Sequence, residues 1–164
     1  MNTSLHRHLK KSVLVVSHAV AVLVGAGAGI YYLPIAIAAH SPASADDIAL
    51  EALKASYRGE FIRSLKGSDT LHWGDGQVFI GEHAVSFSGE LSPGPDYKLY
   101  LSPEFVETDA DFERLKGRMV RVGDIRTFKG FLVPLPATID PEAYDTVIVW
   151  CETFHKFITS ARYR

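Results

Sequence analysis

Residues 13–39 contain no Asp, Glu, Lys or Arg, whereas from about residue 57 apolar positions come in short runs broken by glycine and proline. The first pattern predicts a membrane-spanning helix, because about 20 apolar residues cross the hydrocarbon core of a bilayer. Pro34 falls late in the stretch and is expected to weaken the helix near its outer end. The span proper is therefore read as 13 to about 33, with Tyr31 and Tyr32 at the outer interface.

After the span, 41–45 reads as a linker, and Ile48, Leu50, Ala52, Leu53 and Ala55 support a short helix over 46–56 that Asp46 could cap. Strand-length runs follow at 57–64, 77–80, 83–88, 96–102, 118–122, 126–133, 144–151 and 154–161. Gly81-Glu82 between two of them predicts a type II′ hairpin, and Ser92-Pro93-Gly94-Pro95 marks a sharp break. The polar segment 108–116, with Phe112 and Leu115 three apart, reads as a loop or short helix. Short strands at this spacing indicate an all-β, antiparallel sandwich or barrel. The expected organisation is a basic tail at 1–12, an anchor at 13–39, a linker with a short helix at 40–56, and one β domain at 57–164.

Charge sets the orientation. Arg7, Lys10 and Lys11 precede the span, while Asp46 and Asp47 follow it, which places the amino terminus in the cytoplasm and exports the rest to the cell envelope, periplasmic or extracellular. Ala43-Ser44-Ala45 has the form of a signal-peptidase site, but a signal's apolar region is usually about 7–15 residues, so the length favours an uncleaved, single-pass anchor. Of the 17 basic residues three precede the span, leaving 14 against 19 acids, a net charge of −5 on the exported part. That excludes a nucleic-acid backbone as partner. Ala21, Gly25 and Gly29 recur every fourth residue and could let two copies of the span approach closely as a homodimer.

Cys151 is the only cysteine, and it ends the run Tyr144-Asp-Thr-Val-Ile-Val-Trp-Cys, expected to be a strand covered on both faces. By parity Val147, Val149 and Cys151 share one face, Ile148 and Trp150 the other. A lone thiol is buried core, a ligating or reactive sulfur, or half of an intermolecular disulfide. His72 stands before Trp73-Gly74-Asp75-Gly76, where glycines allow close approach by a ligand or where the ring simply orders a hairpin. Asp96 reads as an Asx-type turn acceptor, and Trp73 and Trp150 as core. Haem or copper would need Cys151 with His72 as a minimal pair. No phosphate loop, clustered metal-ligand spacing or nucleophile elbow is present, so a hydrolase is disfavoured.

The order of these motifs resembles the DM13 domain family. His72 and its glycines come first, then Gly94-Pro95-Asp96 leading into Leu99-Tyr100-Leu101, then Leu115-Lys116-Gly117, Tyr144, Val147-Ile148-Val149-Trp150-Cys151, Phe154, and a last strand ending near Ala161. The resemblance covers roughly 57 to the carboxyl end and leaves out the span. It implies a β-sandwich with one characteristic cysteine, carried here by Cys151, and an electron-transfer role, since animal members accompany DOMON and cytochrome b561-like domains. One span does not supply the helix bundle of a cytochrome b561. Two functions follow as expectations. One is a non-catalytic interaction or structural module that meets an envelope protein. The other is a redox module working through Cys151, with haem or copper.

Overall fold

The computed structural model describes residues 3–37 and 43–164, and it divides into two compact units, Met1–Ile37 and Ala38–Arg164. Met1, Asn2 and most of the expected linker, 38–42, lie outside the described residues.

The first unit is one helix, α1 (Thr3–Ile37), which continues through Pro34 instead of weakening there. Its stretch His8–Leu33 is 26 residues, long and apolar enough to cross a membrane. At 1.5 Å per residue that is about 39 Å, against roughly 30 Å of hydrocarbon. His18 Nδ1 lies 2.8 Å from the Leu14 carbonyl, so the helix's own backbone satisfies this ring.

The second unit opens with α2 (Ala45–Lys54). Its cap is Ser44, not Asp46. The extended backbone of Ser44 (φ −70, ψ 163) lets its hydroxyl accept from Asp47 N at 3.1 Å, while the Asp47 carboxylate accepts from Ser44 N at 2.9 Å. Asp46 is already in the first turn, where its charge suits the positive end of the helix.

Eight strands follow: β1 (Tyr57–Phe61), β2 (Gly74–Ile80), β3 (Ala84–Leu91), β4 (Tyr97–Ser102), β5 (Val120–Ile125), β6 (Lys129–Pro134), β7 (Thr146–Cys151) and β8 (Lys156–Arg162). They form two antiparallel four-stranded sheets, ordered β1-β2-β3-β6 and β5-β4-β7-β8. The β2–β3 turn falls one residue later than expected. Ile80 pairs with Val85 and Gly81 N donates to the Ala84 carbonyl at 2.9 Å, so Glu82 and His83 are its central residues. Neither Gly81 nor those two has a positive φ, so the turn is not type II′. Segment 108–116 contains a helix, α3 (Asp109–Leu115), capped by the Thr108 hydroxyl on Asp111 N.

Period-2 alternation sorts the side chains. Val78, Ile80, Val85, Phe87, Phe131 and Val133 of the first sheet share one apolar core with Leu99, Leu101, Val147, Val149, Cys151 and Ile158 of the second. Tyr100, Ile148 and Trp150 face the other way and form a second core with Phe112 and Leu115 of α3 and with Phe157. Strand β7 is buried on both faces along its whole length, and its parity is as the sequence predicts.

Candidate functional site around Cys151

Cys151 closes β7 opposite Tyr97, the first residue of β4, and Lys156, the first of β8. The same end of the sheets carries Gly74, which opens β2 opposite Leu91 at the end of β3. The segments 62–73, 92–96 and 152–155 therefore emerge together there. This is where the structure gathers His72, Trp73, Asp96 and Cys151.

Bonds among these segments are specific. Ser92 N donates to the Trp73 carbonyl at 2.9 Å, Trp73 N donates to Ser92 Oγ at 3.1 Å, and the Tyr97 hydroxyl donates to the Ser92 carbonyl at 2.8 Å. A Cβ on Gly94 would fall 2.4 Å from the Tyr97 hydroxyl oxygen, so the turn after Pro93 lies flat on the tyrosine. Trp73 and Cys151 are thus connected through Ser92 and the Tyr97 that pairs with Cys151.

The sulfur is shut in: Cys151 is 2% exposed. Burial is the main influence on the thiol and pushes its pKa up, and the nearby Asp96 charge adds to this. The backbone N–H groups of Phe154, Asp96 and Thr153 point at the sulfur and oppose it without prevailing. Glu152, the expected neighbour, plays no part, because parity sends its carboxylate to the opposite face. A thiol held protonated is neither nucleophile nor ligand at neutral pH.

The other candidates are each engaged locally. His72 Nδ1 lies 2.9 Å from the Asp69 carboxylate, which also accepts from Leu71 N at 2.7 Å and His72 N at 2.9 Å. The His72 bond is the largest influence that lowers the Asp69 pKa. The glycine after Trp73 gives room to the protein and not to a ligand: a Cβ on Gly74 would fall 2.5 Å from Thr159 Cγ2 of β8. Asp96 is not an Asx acceptor. Its carboxylate pairs with Lys98 Nζ at 2.5 Å, and its backbone carbonyl accepts from Glu152 N at 3.0 Å. Trp73 is half-buried, not core, and lies under the Arg63 guanidinium at 3.4 Å from its ring centroid. Trp150 is core as expected, fully buried and stacked on Phe112 at 3.8 Å and 6°.

For a metal or haem the test is whether donors converge. Among the described residues no three His, Cys, Asp or Glu side chains do so. His72 turns to Asp69 and the Cys151 sulfur is closed beneath its turn, so the pair expected to hold haem or copper does not form a donor set.

One group was missed in the sequence. Glu152 lies on the outer face, where the Tyr100 hydroxyl donates to Oε1 and Lys116 Nζ to Oε2 at 3.2 Å. Burial would raise the Glu152 pKa, yet these donors outweigh it and hold the carboxyl below its usual range. Burial first and then the Glu152 carboxylate push the Tyr100 phenol far up. The partners lie 52 and 36 residues away in sequence. No local motif announces such a contact.

No curated protein and no solved structure matches the chain. A family model described as Electron transfer DM13 matches residues 64–163, a stretch that contains His72, Trp73, Asp96, Trp150 and Cys151, and the chain therefore belongs to the DM13 family.

Proposed function

We propose that this chain is a single-pass envelope protein whose exported part is a β-sandwich serving as a non-catalytic interaction module. The observation that carries the reading is local engagement: His72 is held by Asp69, Asp96 by Lys98, and the Cys151 thiol is buried and kept protonated. A site built for turnover leaves at least one such group free to meet a substrate. The two sheets that share one apolar core support the sandwich. The apolar stretch of α1, with basic residues before it and Asp46 and Asp47 after, supports an anchor with its amino terminus in the cytoplasm. Ala21, Gly25 and Gly29 give that helix a face narrow enough for a second copy.

A second reading, a redox module working through Cys151, is favoured by the family's description and by three backbone N–H groups directed at one sulfur. Such donors would stabilise a thiolate once the site opened. Absorption spectroscopy and metal analysis of the full chain in detergent decide between the two. A colourless, metal-free protein whose Cys151 resists alkylation supports the interaction module. A visible band, bound metal or a covalent dimer under oxidising conditions supports the redox reading.

A further inference from the structure

The turn that covers the sulfur is fastened on the face of β7 that the sulfur does not see. Glu152 opens this turn, and its carboxylate takes the Tyr100 hydroxyl on one oxygen and Lys116 Nζ at 3.2 Å on the other. The fully buried Trp150 Nε1 has no hydrogen bond of good geometry, and the acceptor it faces is the same carboxylate. Glu152 N is tied as well, to the Asp96 carbonyl at 3.0 Å. The next two residues, Thr153 and Phe154, direct their N–H groups at Cys151. The turn then ends at His155 with φ 48, a left-handed conformation that a non-glycine residue keeps only where its surroundings hold it. Beyond it, Phe157 N donates to the Asp109 carboxylate at 2.7 Å. Local preference alone therefore does not set this turn; attachments on both sides do.

We infer that Glu152 is a positioning residue for Cys151: its carboxylate latches the 152–155 turn over the sulfur, and release of that latch is what makes the thiol reachable. The inference goes beyond the interaction reading and holds under either account of Cys151, since it concerns access and not the chemistry that follows.

Alkylation of the full chain in detergent with an iodoacetamide probe, followed against urea, tests it. A local opening labels at a rate that hardly depends on urea until global unfolding takes over. Glu152→Ala is expected to label at least about tenfold faster than wild type at zero urea, a factor equivalent to about 1.4 kcal/mol in the opening equilibrium. That excess should be flat in urea. Glu152→Gln keeps an oxygen for Tyr100 and should stay within about threefold of wild type. If the alanine variant does not fold, Tyr100→Phe removes one donor with little change of shape and should speed labelling in the same urea-independent manner. Wild-type rates in the alanine and phenylalanine variants, or an increase as steep in urea as global unfolding, would overturn the latch. The redox reading is judged separately, by chromophore, metal and dimer, so the failure of one is not mistaken for failure of the other.

Discussion

Two helices cover the outer faces of the two sheets, and they do it with different thoroughness. Helix α3 buries Phe112 and Leu115 against Trp150, Tyr100, Ile148 and Phe157, with the Phe112 ring stacked on one aromatic and edge-on to another at 5.1 Å. Helix α2 buries only Ile48 on β3 and β6, beside an open cleft of about 300 Å³ lined in part by Ser88, Gly89 and Gly130. Its Leu50 and Leu53 remain 53% and 80% exposed. The first helix lies within the region that the family model matches, the second ahead of it. The difference teaches that α3 is part of the core, whereas α2 is an attachment to a domain that is packed without it.

The largest effect should fall on the α3 side. Phe112→Ala removes a fully buried ring and unstacks Trp150, at an expected cost of about 3–5 kcal/mol in urea unfolding of the full chain in detergent. Ile48→Ala should cost less, about 2 kcal/mol, and chiefly as local loss of α2, visible as faster amide exchange there with the sheets still protected. Equal costs, or α2 amides that exchange only with global unfolding, would break the comparison.

Between these outer faces lies the shared core, and Cys151 reports on it. Cys151→Ala leaves a small cavity and should cost about 1–2 kcal/mol with the fold kept. Cys151→Ser should cost at least as much, since a buried hydroxyl needs a hydrogen bond that the thiol does not. The raised pKa adds a pH signature. The unfolded thiol ionises near its ordinary 9.0 and the folded one higher. The stability that Cys151 contributes is therefore complete below pH 9 and declines as the pH rises past it. The alanine variant should lack this component, so its loss of stability between pH 8 and 10 should be shallower than wild type. Parallel alkaline curves for the two proteins would refute the buried thiol.

What the sequence revealed and what it hid divide along the same line. Strand β7 was legible because alternation has period 2 and both its faces are apolar, which settled the partners of Cys151 and of Trp150 alike. The division into an apolar span and a β domain was legible for the same kind of reason. The hairpin at Gly81 was misplaced by one residue, because glycine signals a turn without fixing the register that the flanking pairs decide. His72, Asp96 and Glu152 were harder. What each does depends on whether its acceptor or donor is a neighbour in sequence, as Asp69 is for His72, or lies across the fold, as Tyr100 does for Glu152.

The smallest effect is expected where α2 begins. Ala43-Ser44-Ala45 has the form of a cleavage site, but in the folded unit Ala43 is buried, Ser44 caps α2 and Ala45 is its first helical residue. Cleavage after Ala45 would therefore delete the cap from a helix that is already lightly attached. Ser44→Ala should cost about 1 kcal/mol. The loss should appear in α2 more than in the sheets. The Asp47 pKa is lowered, first by the Ser44 backbone N–H and then by the Ser44 hydroxyl. Stability from a lowered carboxylate is present above its unfolded value and lost as the pH falls. The gap between wild type and Ser44→Ala should thus narrow below about pH 3.8, the ordinary value for this group. Mass measurement of the mature chain checks the same point from the other side: a retained cap requires that Met1 to Ala45 stay attached. A soluble species beginning at Asp46, with α2 as well protected as in the full chain, would show that neither the anchor nor the cap is needed.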